Sequence, residues 1–206
     1  MSNHDLRYTT TLRTAIGPLT LRARAPRKNE RDVVLTGLFF SNDARGEDTR
    51  LVKDDALLLP LRRELEEYLA GDRRRFDLAL DFDEGTPFQQ RVWRTLGTIP
   101  FGRTWSYAQL AVAIDRPAAI RAVGAANGRN PIAIVLPCHR VIGADGRLVG
   151  FGGGLPTKAK LLSLEGLSDL EGRPLAVGSV LAKPSMEAGK PSRRVTKPSR
   201  SRAKAS

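Results

Sequence analysis

Apolar and polar positions change rhythm several times along this chain, and the rhythm sketches its elements. "YTTTLRTA" and "GPLTLRARA" are short alternating stretches joined at Ile16-Gly17-Pro18, which predicts two strands in a hairpin. "DVVLTGLFF" (32–40) is richer in β-branched residues and predicts a third strand. After the polar loop "SNDARGEDTR", Leu58, Leu61, Leu65 and Leu69 recur at three- and four-residue spacing. That spacing predicts a helix within "DDALLLPLRRELEEYLAG", with Pro60 in its first turn and Gly71 at its end. "RRFDLALDF" alternates again and reads as a further strand.

Beyond "DEGTPFQQ" the rhythm turns helical. Thr86 with Gln89 makes a capping box around Pro87, and the helix 87–98 carries Phe88, Val92, Trp93 and Leu96 on one face. After the turn "IPFGRT", Ser106 with Gln109 opens "SYAQLAVAI"; "DRP" breaks it, and "AAIRAVGAAN" is a third helix. Two short helices across a turn suggest a helix-turn-helix, although most packed helix pairs share that pattern. "GRNPIAIVLP" reads as an extended segment, the glycine-rich "GADGRLVGFGGGL" as a tight loop close to a ligand or another backbone, and "PTKAKLLSLEG" as a last short helix. No Gly-Lys-Ser/Thr follows the glycines, which argues against a phosphate-cradling loop.

The pattern predicts an α+β fold in three parts. Residues 1–85 form a small α/β domain, residues 86–170 a mainly helical domain with the helix-turn-helix, and residues 171–206, rich in Pro, Ser, Lys and Arg, a disordered basic tail. Charge sharpens the division. The 206 residues carry a formal net charge of +12, yet residues 1–85 hold 15 Lys/Arg against 16 Asp/Glu. Residues 86–170 hold 10 against 4, and residues 171–206 hold 9 against 2, so the basic excess begins at Thr86. A polyanion such as DNA suits that segment; simple solubility is the plainer explanation of the same charge.

No stretch reaches the roughly 18 apolar residues of a membrane span, and "MSNHDLRYTT" lacks the apolar core of a secretory leader, so no membrane association is expected. A single cysteine cannot close an intrachain disulfide, which makes the reducing cytoplasm the expected compartment. One Cys and two His argue against a tetrahedral zinc site, and no cofactor is expected.

That cysteine stands in "IAIVLPCHRVIG" (132–143), directly before His139. A thiol attacks as thiolate, and an imidazole can take its proton. Neighbours in an extended chain point to opposite faces, so Cys138 and His139 couple only if the backbone turns at Pro137 or a water bridges them. The second ring nitrogen would then need a carboxylate or carbonyl to orient it. A small buried cysteine beside a core histidine is the bland reading of the same two residues.

"NPIAIVLPCHRVIG" (130–143) resembles the active-site segment of the O6-alkylguanine-DNA alkyltransferases, also called methylated-DNA–protein-cysteine methyltransferases. Their Pro-Cys-His-Arg-Val stands intact as Pro137 to Val141. "TPFQQRVWRTLGTIPFGRTWSYAQLA" (86–111), "RAVGAANGRNP" (121–131) and "GFGGGLPTKAKLLSLEG" (150–166) match the family's other blocks in order and spacing. The resemblance implies a ribonuclease H-like first domain and a monomer acting on double-stranded DNA that carries O6-alkylguanine, with O4-alkylthymine a candidate second substrate. It implies that a damaged base flips out of the duplex and that Cys138 takes its alkyl group irreversibly, consuming the protein. His139 is the implied base through a water, with Glu165 orienting it, and Asn130 pins the two halves of the segment. Tyr107 is the implied residue that rotates the phosphate and hydrogen-bonds the flipped base. Arg121 fills the vacated stack from a helix in the minor groove. Arg129, Ala133, Val141, Phe151, Gly152 and Gly153 complete the implied binding residues; no metal is among the implied ligands.

Three positions depart from the family pattern: Phe151 where many members have tyrosine, Ala133 where some have proline, and Lys160 where a large apolar residue is common. They bear on the alkyl group accepted rather than on the reaction. The first domain lacks the Cys and His with which some relatives hold zinc. The rival readings are weaker. A non-catalytic lesion-binding relative would replace the nucleophile. A helix-turn-helix regulator gives no reason for Pro-Cys-His-Arg or Glu165, and a cysteine hydrolase needs a direct Cys–His pair and an oxyanion hole.

Overall fold

The hairpin forms where the sequence places its turn. In the computed structural model, which describes residues 7–26, 32–47, 51–82 and 84–168, β1 (Arg7–Leu12) and β2 (Leu19–Arg24) pair antiparallel from Arg7↔Arg24 to Leu12↔Leu19. Gly17 takes φ 104, a left-handed conformation that costs glycine nothing, and the Thr14 hydroxyl donates to its carbonyl at 2.6 Å. β3 (Val34–Phe40) pairs antiparallel on the other edge of β2, with a bulge at Arg22/Ala23. β4 (Val52–Lys53) pairs parallel with β1, so the sheet runs β3-β2-β1-β4. Two residues carry too little alternation for a sequence to announce β4. Helix α1 (Leu59–Ala70) has Pro60 in its first turn and buries Leu61, Leu65 and Tyr68; Gly71, at φ 88, ends it.

The expected strand at 74–82 does not form. Its contact with the sheet is one parallel bridge, Leu35↔Leu80, with Leu35 N–H donating to Ala79 O at 2.9 Å and Asp81 N–H to Leu35 O at 3.0 Å. The edge of β3 that receives it is shared. Leu38 N–H donates to Pro131 O at 2.9 Å on that edge, and Ala133 N–H returns a bond to Leu38 O at 3.1 Å. Each segment gets one bridge and neither gets a ladder. The ion pair Arg24–Asp81 (2.8 Å) pins the first of them.

Both predicted capping boxes close. Thr86 and Gln89 bond reciprocally at the start of α2 (Pro87–Leu96), as do Ser106 and Gln109 at the start of α3 (Tyr107–Ala113). Such a cap satisfies backbone donors that the first helical turn leaves free. α4 (Ile120–Gly128) follows, and α5 (Leu155–Leu164) closes the described chain. A two-stranded parallel pair, β5 (Trp105–Ser106) with β6 (Val141–Ile142), joins the entry of α3 to the chain just past Cys138. Trp93 Nε1–H donates to Ala126 O at 2.8 Å, adding a second donor to a carbonyl in the last turn of α4.

One apolar cluster runs through both halves of this mixed α/β fold: Leu21, Leu35, Leu38 and Tyr68 belong with Val92, Leu96, Leu110, Ile132 and Leu136. Among the described residues no helix is long and apolar enough to cross a membrane. The expected basic tail, 171–206, lies outside the described residues.

Candidate active site

The chain turns where an extended segment was expected. Leu136 N–H donates to Ile132 O at 3.0 Å, Val135 N–H to Ala133 O at 2.8 Å and Cys138 N–H to Leu136 O at 2.7 Å. Ile134 sits at φ 70, a left-handed conformation that a β-branched residue holds at a cost of about 1–3 kcal/mol. Asn130 braces the turn from inside: its Nδ2–H donates to Leu136 O at 2.7 Å and its Oδ1 accepts from Ile132 N–H at 3.0 Å. Cys138–Arg140 is then a single 3₁₀ turn, which sends the thiol and the imidazole to different neighbours.

Cys138, 6% exposed, lies at a cavity of about 220 Å³. Tyr107, Gly124, Asn130, Ala133, Gly150, Phe151 and Gly152 line it with Phe39 and Phe40 of β3. Phe151 meets Phe40 edge to face at 5.3 Å. Gly153 allows that approach, since a Cβ there would stand 2.9 Å from the Phe40 ring. Asn42 Nδ2–H donates to Gly152 O at 2.8 Å and ties the glycine loop to the first half of the chain.

Behind the thiol is a buried polar network. His139 Nε2 is 2.8 Å from Glu165 Oε1, and Glu165 also accepts from Arg140 (2.9 Å), from Gly102 N–H (3.0 Å) and from the Tyr68 hydroxyl (2.6 Å). Arg140 Nη1–H donates to Ile99 O at 2.6 Å. Burial alone would raise the Glu165 pKa, but the bonds from His139 and Arg140 prevail and hold it at about 2. A carboxylate so held accepts a hydrogen bond from Nε2–H, which leaves His139 Nδ1 as the ring's acceptor. Nδ1 is buried and has no hydrogen-bond partner among the described residues. Burial lowers the His139 pKa, favouring the neutral ring at pH 7. Burial raises the Cys138 thiol, against the bond from Asn130 and the charge of Lys158, so the thiolate needs a base to form.

The structure gathers Cys138, His139, Glu165 and Asn130 into one cluster and sets Tyr107, Ala133, Phe151 and Gly152 around the cavity. It does not bring every expected residue there. Arg121 is exposed on the first turn of α4. Arg129 is exposed and borders a separate groove of about 1200 Å³, its carbonyl accepting from Arg45 at 2.9 Å. The Val141 side chain is fully buried, and Gly153 packs on Phe40 rather than lining the cavity.

Sequence reasoning missed Lys158 and Tyr68. Lys158 is fully buried, and its ammonium donates to Val141 O and, at 2.7 Å, to Val149 O. Its signal was available, because it shares the helical stripe of Ala159 and Leu162, where a lysine is out of place. Burial lowers its pKa to about 8, opposed by the charge of Cys138. We predict that Lys158→Met raises the Cys138 pKa and slows alkylation of this single thiol by iodoacetamide about tenfold at pH 7. A labelling rate measured against pH checks it.

A buried thiol at a cavity, with a buried imidazole–carboxylate pair at the next residue, is the arrangement expected of a cysteine group-transfer protein. Comparison with known proteins narrows the class. Residues 87–167 match the family model described as 6-O-methylguanine DNA methyltransferase, DNA binding domain. The chain is 46% identical over 156 residues to the methylated-DNA–protein-cysteine methyltransferase of Mycobacterium tuberculosis, covering 75% of this chain and 90% of that protein. It is 55% identical over 103 residues to the Methanosarcina barkeri protein of the same name, covering 50% of this chain and 65% of that one. Among solved structures it resembles Mycobacterium tuberculosis OGT in complex with DNA, with TM-score 0.68 and 44% identity over 81% of this chain and 95% of that one. It also resembles the O6-methylguanine-DNA methyltransferase of Pyrococcus kodakaraensis, with TM-score 0.58 and 25% identity over 78% and 99%. The chain belongs to the methylated-DNA–protein-cysteine methyltransferase family.

Proposed function

We infer that this protein repairs DNA by direct reversal, moving one alkyl group from O6 of guanine to Cys138. The observation that carries the reading is the sole thiol of the chain at a cavity with room for one base, with a neutral imidazole and an ionised carboxylate behind it. The S–C bond forms as the C–O bond breaks. The thiol proton passes through a water to His139 Nδ1 and returns to the departing guanine, so charge balances. A thioether is not a leaving group here, and each chain acts once. The intact nucleophile favours transfer over lesion binding alone.

The positions of the remaining residues support the rest of the reading. Asn130 keeps the turned loop in place, and Glu165 fixes the tautomer and orientation of His139. The Tyr107 ring lies over Gly124, so α3 and α4 meet at the cavity; they act as the helix-turn-helix, inserted in the minor groove. Exposed Arg121, at the start of α4, fills the space left by the flipped base. Residues 1–85 serve as a ribonuclease H-like scaffold and residues 86–170 as the reacting and DNA-binding unit, in a cytoplasmic monomer.

Incubation with a duplex bearing O6-methylguanine tests the function. We expect one CH₂ added per chain, located by mass spectrometry on the peptide bearing Cys138, and unmodified guanine left in the DNA. An intact duplex lesion with no adduct would replace the transfer reading by lesion binding. The same assay with O4-methylthymine decides the second substrate.

A further inference from the structure

We propose that Tyr68, contributed by α1 in the first half of the chain, is a positioning residue that sets the proton affinity of His139 through Glu165. The inference rests on the reading of His139 as the base and names a regulator of it. The Tyr68 hydroxyl donates to Glu165 Oε1 at 2.6 Å and stands 3.4 Å from His139 Nε2. Tyr68 is fully buried, and its ring is fixed against Phe76 (5.0 Å) and Phe101 (6.2 Å).

The same carboxylate oxygen therefore serves the phenol and the imidazole, together with the Arg140 guanidinium. Negative charge stabilised by the phenol is less available to stabilise an imidazolium. Among the described residues, the titratable and charged groups acting on the ring are Tyr68 from α1, Arg140 from its own turn, and Lys158 and Glu165 from α5 and its end. Of these, Tyr68 alone is a neutral donor to Glu165 from the other half of the chain. Burial first, and then the Glu165 charge, raise its own pKa, so it stays a donor across the working pH range. The sign follows: with Tyr68 present, His139 is less basic and stays neutral to lower pH.

Tyr68→Phe keeps the ring and deletes the donor. We expect the His139 imidazole, followed by ¹⁵N NMR against the one other histidine, His4, to titrate about one pH unit higher. The acid limb of the methyl-transfer rate should rise with it. A fluorotyrosine placed at position 68 is a stronger donor and should move both downward, which covers the case in which Tyr68→Phe fails to fold. An unmoved imidazole titration in either variant overturns the proposal. Absence of methyl transfer in the wild-type protein would overturn the functional reading instead, and the imidazole titration would still judge Tyr68.

Discussion

Cys138→Ala is expected to abolish methyl transfer altogether while leaving affinity for a duplex bearing O6-methylguanine within about threefold. No other thiol exists in the chain to substitute for it. The side chain is small, and truncation to alanine at a cavity wall removes the bond between the thiol and Asn130 but leaves the two bonds by which Asn130 braces the turn, and the His139–Glu165 pair, in place. Loss of a buried group of this size costs about 1 kcal/mol, well inside the margin of a stable domain. Binding measured by fluorescence anisotropy and transfer measured by intact mass therefore separate cleanly. Transfer retained by Cys138→Ala would require another acceptor and end the assignment. Affinity lost with transfer would mean that the thiol helps seat the base.

The capping boxes at Thr86 and Ser106, the hairpin turn at Gly17 and the leucine face of α1 were legible because each is a local pattern with a local cause. The strand expected at 74–82 failed for a nonlocal reason: two segments divide one edge of β3. The turn at Ile134 was also hidden, since nothing in "PIAIVLP" announces a left-handed isoleucine held by Asn130. At the site, Cys138 and His139 were visible as neighbours in sequence. Glu165 was visible through the family resemblance, and Tyr68 could not be seen, because it reaches Glu165 from 97 residues away.

Glu165→Gln should produce the largest loss of stability of any substitution at the site. Arg140 is 7% exposed, and its charge is balanced inside the fold by Glu165. Removing one partner of a buried pair strands the other, at a cost of about 3–5 kcal/mol. That is a large share of the roughly 5–15 kcal/mol that holds a domain together. The pH dependence identifies the cause. The Glu165 pKa is depressed to about 2 in the fold, so its contribution is complete above the unfolded value of about 4.3 and is lost as pH falls toward 2. Urea unfolding should show the wild type and Glu165→Gln far apart at pH 7 and converging below pH of about 4. A gap that stays constant would mean that shape, not charge, is what the glutamine fails to reproduce. Transfer should fall about a hundredfold as well, the usual worth of a positioned base. On the proposed mechanism, a neutral amide cannot stabilise the imidazolium formed when Cys138 gives up its proton, so His139 becomes a weaker base. Its titration then moves to lower pH, opposite to the shift expected when the Tyr68 hydroxyl is removed. Two variants around one carboxylate with opposite signs are difficult to explain by loosened packing, which would move both in the same direction.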